Sequence, residues 1–273
     1  MTSRRGNGAT APAKRKRVVI KIGTSSLTYY NGGMNLRKID KLSWILTDLR
    51  SLGNEIIYVS SGAIAVGTER LGLRERPRDD MGKQAASAVG QAALMQIYEN
   101  FFLAYNQKIA QILLTKDVVE NEITRTNARN TFFTLLSMGV IPIVNENDAI
   151  STDELEFAFS ENDELSAYVA LLTDADMLIM LSDTDGFYDS DPKKNPHARL
   201  IPVVEEIDGL LERSAGASSS ALGTGGGAAK LSAAKMACAA GIDTVLASGE
   251  DPYILYDICA GDIKGTLFKG RNG

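Results

Sequence analysis

The chain has 273 residues, 44% of them hydrophobic, which is enough to bury a large core as one α/β domain or two small ones. No stretch approaches the ~18 apolar residues of a membrane span, and no apolar segment follows the N-terminal basic residues, so neither an anchor nor a secretory signal is indicated and a cytoplasmic location is expected. The formal net charge of −5 hides an asymmetry: six of the 29 Lys and Arg stand among the first 17 residues without an acid, leaving 23 against 34 Asp and Glu, a net −11 that disfavours nucleic-acid binding and marks residues 1–16 as a solvated basic tail.

Val18, Val19, Ile20 and Ile22 predict a first buried strand, with Lys21 inside it and Gly23-Thr24-Ser25-Ser26 behind it. A lysine there is costly unless its ammonium meets an anion, and small residues after a strand free backbone N–H groups to cradle phosphate. The competing reading is a lysine that snorkels to water at the strand end. Asn35 caps a helix with apolar positions Leu36, Ile39, Leu42, Leu46, Leu49 and Leu52, ended by Gly53. A second strand over 56–59 runs into Ser60-Ser61-Gly62-Ala63, another candidate anion turn or an ordinary strand-to-helix cap. The helix expected over 83–105 is small at first (Ala85, Ala88, Ala92) and bulky later (Tyr98, Phe101, Phe102, Tyr105), as suits a core or subunit contact. A strand at 109–114 and a helix at 125–137 continue an alternation that predicts parallel βαβ units.

The central stretch joins a strand (Val140, Ile141, Ile143, Val144) to a helix whose stripe is Leu165, Tyr168, Val169 and Leu172. Between them lie Asn145, Asn147, Asp148, Asn162 and Asp163. Ligands of open α/β sheets bind beyond the carboxyl ends of strands, which favours a site here, yet helix capping accounts equally well for Asn162, Asp163 and Glu164. Another strand at 177–181 precedes Ser182-Asp183-Thr184-Asp185-Gly186, a nucleotide edge or a turn built from Asp and Gly. His197, the only histidine, sits in a turn-rich loop as a bystander, and Cys238 and Cys259, without CxxC spacing, read as buried thiols, so no protein metal site is expected. From Ala215 the chain becomes Gly-rich. GTGGGA has no strand directly before it and GxxxxGK[ST] is absent, so neither a dinucleotide fingerprint nor a Walker loop is present. What remains is a loop feeding a helix from about Ala228 to Gly241 with Lys230 in its first turn, suited to an ATP phosphate or else a linker with a surface lysine. Strands at 244–247 and 265–268 complete the sheet.

In this order and spacing, KIGTSSL, SSGAIAVG, IVNENDA, LSDTDGFYDSDP and LGTGGGAAK resemble the motifs of the amino-acid kinase family over residues 17–268, and NENDA with GTGG and its downstream lysine resembles the glutamate 5-kinase branch. The resemblance implies an α/β fold, an open and mainly parallel sheet sandwiched between helices, occupying residues 17–273. It implies phosphorylation of the L-glutamate γ-carboxylate to glutamyl 5-phosphate, the first step of proline biosynthesis. ATP with Mg2+ as cofactors, L-proline as an inhibitor and a homo-oligomer, dimer or tetramer, follow from it, with no nucleic-acid or membrane partner. By the same resemblance Lys21 steadies the transferring phosphoryl group, Lys230 is the second catalytic lysine, on the ATP side, and Asp163 holds both ammonium groups in place. Ser61, Gly62, Asn145, Asp148 and Asn162 contact glutamate; Lys21, Gly23, Ser182, Asp183, Thr224, Gly225, Gly226, Gly227 and Lys230 form the nucleotide site. The chemistry is consistent, because a γ-carboxylate is already ionised at neutral pH and positioned cations carry most of phosphoryl-transfer catalysis.

Three departures stand out. Ser160-Glu161-Asn162-Asp163 replaces the family's Gly-Asp-Asn-Asp, serines at 60 and 182 replace threonines, and a C-terminal PUA-type module has no room. The nearest alternative is a sister kinase acting on acetylglutamate, aspartate or uridylate, against which NENDA argues. A dinucleotide oxidoreductase lacks its strand before Gly223. A nonenzymatic sensor or RNA-binding protein leaves both lysines and Asp163 unexplained.

Overall fold

Strand β1 (Arg17–Ile22) occupies the middle of the sheet because both its faces are apolar, and it pairs in parallel with β2 (Glu55–Val59) on one side and β5 (Met177–Ser182) on the other. The computed structural model describes residues 15–29, 33–151, 162–190, 195–209, 211 and 226–271. Among these, β3 (Ile109–Leu114), β4 (Ile141–Glu146), β6 (Val203–Val204), β7 (Asp243–Ser248) and β8 (Thr266–Phe268) complete an eight-stranded sheet ordered β3-β4-β2-β1-β5-β7-β8-β6. Every pairing is parallel except β7 with β8, so the expected open, mainly parallel sheet is present.

Helices cover both faces. On one lie α2 (Leu36–Ser51), α4 (Asp80–Ala104) and α9 (Ile254–Ala260), whose Leu42, Leu94 and Leu255 share a core with Val18, Ile20 and Ile22. On the other lie α6 (Glu122–Ser137), α7 (Asn162–Leu172) and α8 (Gly227–Ala239), whose Phe132, Leu165 and Leu231 pack with Val19. Successive side chains of a strand alternate between faces, so Lys21 shares the face of Val19 and is directed toward α7 and α8. Shorter helices α1 (Thr24–Leu27), α3 (Ala63–Arg70) and α5 (Lys116–Glu120) fill connections.

Asn35 caps α2 as expected, accepting from the Lys38 N–H at 3.1 Å, and Gly53 takes φ +105° just beyond it. Leu36 and Leu52, the ends of the expected apolar stripe, are instead 49% and 67% exposed. A 16-residue helix is about 24 Å long and outruns the roughly 20 Å strand it covers. The small half of α4 also differs in register from expectation: Ala85, Ala88 and Ala92 face outward, whereas Ala86 and Gly90 pack on α3. A Cβ added to Gly90 would lie 1.8 Å from the Ala63 carbonyl oxygen, and one on Gly67 would lie 1.7 Å from that of Ala86. This close crossing is within the chain. Among the described residues no helix is long and apolar enough to cross a membrane.

Candidate active site

Parallel pairing brings the carboxyl ends of β1, β2, β4 and β5 to one edge, and the expected site residues lie at or just beyond each of them: Gly23, Ser61 with Gly62, Asn145 with Asp148, and Ser182 with Asp183. The chain leaves β1 toward β2 and leaves β5 toward β7, so strand order reverses between β1 and β5, where open sheets of this type open a crevice.

On the α7/α8 face of that crevice Asp163 is fully buried. Its Oδ1 lies 2.6 Å from Lys21 Nζ and its Oδ2 3.5 Å from Lys230 Nζ. The two ammonium groups are the partners of this buried carboxylate, one on each oxygen. Burial pushes the carboxyl upward, but the charges of Lys21 and Lys230 outweigh it and hold Asp163 below the ordinary carboxylate value. Lys21 therefore does not snorkel away, and Asp163 faces two cations at the first turn of α7 in addition to its place at the positive end of the helix.

The loops after β2 and β4 converge through Asn162, whose Nδ2 donates to Ser61 Oγ at 2.8 Å, Ser60 O at 3.0 Å and Asn145 Oδ1 at 3.2 Å. Gly62 adopts φ +104°, a left-handed conformation that a side chain would strain, and so turns the chain from β2 directly into α3. Asp148 accepts from Ser87 Oγ at 2.8 Å. Burial raises its pKa, and neither that bond nor the charge of Arg76 offsets the effect.

At the carboxyl end of β5, the buried Ser182 donates from Oγ to Asp183 at 3.0 Å, its carbonyl accepts from the Gly249 N–H at 2.6 Å, and the Gly23 N–H donates to Leu181 O at 3.3 Å. Gly226 and Gly227 lead into α8, which carries Lys230 in its first turn. Thr224, Gly225 and Glu161 lie outside the described residues. His197 is exposed, its backbone N–H donating to Asn195 Oδ1 at 3.0 Å. Burial pushes the Cys238 and Cys259 thiols up to about 11, which makes them poor nucleophiles at neutral pH.

Sequence reasoning missed the support behind these loops. Tyr98 on α4 bonds Ser60 Oγ at 2.8 Å and Tyr58 at 3.0 Å, and Gln91 Oε1 accepts from Asn145 at 2.8 Å. The available signal was a set of polar side chains, Gln84, Ser87, Gln91 and Tyr98, at helical spacing inside an otherwise small and apolar segment.

A family model described as the amino acid kinase family matches residues 16–248. The chain is 53% identical over 260 residues to glutamate 5-kinase of Clostridium perfringens (strain 13 / Type A), covering 94% of this chain and 97% of that protein. It is 49% identical to glutamate 5-kinase of Listeria welshimeri, covering 94% of each, and 48% identical to that of Lactiplantibacillus plantarum, covering 93% and 97%. Solved structures of similar fold include an isopentenyl phosphate kinase (TM-score 0.65, 15% identity, 93% of this chain and 100% of that one) and UMP kinase of Ureaplasma parvum (0.64, 18%, 94% and 99%).

Proposed function

Because this chain belongs to the amino acid kinase family and, within it, to the glutamate 5-kinases, we propose that it transfers the γ-phosphoryl group of ATP to the side-chain carboxylate of L-glutamate. The observation that carries this reading is the fully buried Asp163 between the ammonium groups of Lys21 and Lys230, beside the strand-order reversal. In the reaction a γ-carboxylate oxygen bonds the γ-phosphorus as the bond to the β,γ-bridging oxygen breaks, and ADP leaves with that electron pair. The carboxylate is ionised already and needs no base. Charge spreads over the transferring group, and two cations preoriented by one carboxylate stabilise it without reorganising at the moment of reaction.

In this reading Lys21 and Lys230 are catalytic and Asp163 orients them. Ser61, Gly62, Asn145, Asp148 and Asn162 hold glutamate, while Gly23, Ser182, Asp183 and residues 224–227 hold ATP. Among the described residues no three His, Cys, Asp or Glu side chains converge to cage a metal, and both Asp163 oxygens face ammonium groups. Mg2+ would enter with ATP and would supply positive charge to its phosphates. The kinase domain spans 17–273, the enzyme acts as a cytoplasmic homo-oligomer in proline biosynthesis, and L-proline competes with glutamate. Proline offers an α-carboxylate and adjacent ammonium but no carboxylate for Lys21, so it occupies the site without reacting.

The deciding assay is ADP release from Mg-ATP across L-glutamate, aspartate, acetylglutamate and uridylate. Release should require glutamate and fall with added proline at low glutamate. Equal rates with another acceptor would overturn the assignment.

A further inference from the structure

Helix α4 presents Gln84, Ser87, Gln91 and Tyr98 at i, i+3, i+7 and i+14, one face of a helix. Each bonds a different point of the glutamate loops: Ser151 O, Asp148, Asn145 and Ser60. At Gln91 the bond continues beyond its first partner. The backbone N–H of Glu146 can only donate, and it donates to Asn145 Oδ1 at 3.0 Å. Asn145 is thereby oriented with Nδ2 toward Gln91 Oε1, at 2.8 Å, while the same Oδ1 also receives Asn162 Nδ2. Asn162 in turn supplies two amide hydrogens to three acceptors, Asn145, Ser61 and Ser60. Its position therefore depends on all three. Gln91 and Asn145 are both buried, so water does not replace a lost partner at low cost.

We propose that Gln91 is the positioning residue of the acceptor site: its Oε1 fixes the Asn145 amide, which fixes Asn162 and so the Ser61 hydroxyl, although Gln91 itself does not touch substrate. This rests on the glutamate kinase reading, with glutamate as the ligand of those loops. Among the described residues the bonds of the ladder join Gln91, Asn145, Asn162, Ser60 and Ser61, and none of those bonds is made to Lys21, Ser182 or Lys230. Loss of the ladder should consequently appear in one substrate and not in the other.

The test is two-substrate kinetics with melting temperatures on the same preparations of wild type, Gln91→Met and Gln91→Glu. Gln91→Met keeps length but removes the acceptor, and should raise the apparent glutamate KM about 10-fold while ATP KM and kcat stay within about threefold. Gln91→Glu keeps an acceptor toward Asn145 at the cost of a buried charge, and its glutamate KM should fall below that of Gln91→Met. A merely structural role would lower the melting temperature of Gln91→Met and leave both KM values alone. That result, or equal rises in both KM values, or a Gln91→Glu variant as impaired as any without the acceptor, would overturn the positioning role. Wild-type enzyme without glutamate-dependent ADP release would instead overturn the functional reading on which it stands.

Discussion

Replacing Asp163 by Asn removes one negative charge from between two ammonium groups without changing the shape of the side chain. At an effective dielectric of ~20, unit charges 2.6 Å and 3.5 Å apart attract by about 6 and about 5 kcal/mol before desolvation is subtracted. Desolvation of three buried groups offsets much of this, and removing one partner of such a cluster typically costs about 3–5 kcal/mol. Lys230, whose side chain is 12% exposed, can relax toward solvent, which favours the lower end. About 3 kcal/mol corresponds to a fall of roughly 6–12 °C in Tm for a domain of this size, whereas loss of a helix-dipole contact alone, up to about 1 kcal/mol, gives no more than about 4 °C. Mg-ATP should shrink the deficit, because its phosphates supply the anion the two lysines lack. Asp163 titrates below the usual 3.8 in the folded chain, so its stabilisation is complete above the unfolded value and is lost as pH falls through the folded one. The Tm gap between wild type and Asp163→Asn should therefore be constant from about pH 8 to 5 and close in stronger acid. Thermal melting across pH, with and without Mg-ATP, and coupled ADP release measure all of this. A small Tm change indifferent to nucleotide, with turnover retained, would refute the paired-cation reasoning and leave helix capping.

Lys21→Ala and Lys230→Ala should each lower kcat by about 100-fold or more in steady-state assays, with circular dichroism of the folded chain unchanged. Burial raises the folded pKa of Asp148, so the stability it contributes is fully present below the unfolded value and is lost as pH rises through the folded one. Asp148→Asn should accordingly keep or raise Tm at pH 7 while raising the glutamate KM about 10-fold or more, since its Oδ1 can still accept from Ser87. Gly90→Ala should lower Tm by several degrees and weaken glutamate use, because the new methyl meets the Ala63 carbonyl at 1.8 Å and displaces α3 with the Gly62 turn at its start.

The sheet and its main helices were legible because their signals are local. Val18 to Ile22 are apolar on both faces, Asn35 and Gly53 bracket α2, and Leu165, Val169 and Leu172 lie on the buried side of α7. Roles were less legible because they depend on neighbours distant in sequence. Asp163 carries the same local pattern whether it caps a helix or pairs two lysines, and only the parity of β1 and the position of α8 decide between them. Lys21 could snorkel or pair for the same reason. The family resemblance supplied expected roles that composition and spacing left open. Gln91 was missed because a single amide in a small-residue helix looks like surface until the helix phase is known; the neighbouring Ala88 and Ala92, read as packing residues, are the ones that face outward. Strands β6 and β8, two and three residues long, are held by pairing geometry more than by their own pattern.

The central position of β1 has a consequence for synthesis. Its partner β2 leaves the ribosome soon after it, and β3 and β4 then extend that side of the sheet, but β5 begins about 150 residues after β1 ends. At typical elongation rates that interval is on the order of ten seconds. By its end the nascent chain carries half a sheet whose open edge is β1, a strand buried along almost its whole length in the finished fold and until then a template for pairing with any other extended chain nearby. Lys21 sits on that edge strand, a charge among branched apolar residues, and discourages such pairing until Asp163 and then β5 arrive. Pulse-labelled chains arrested before residue 177 should thus be the aggregation-prone species, and chains carrying Lys21→Met should be the more prone of the two.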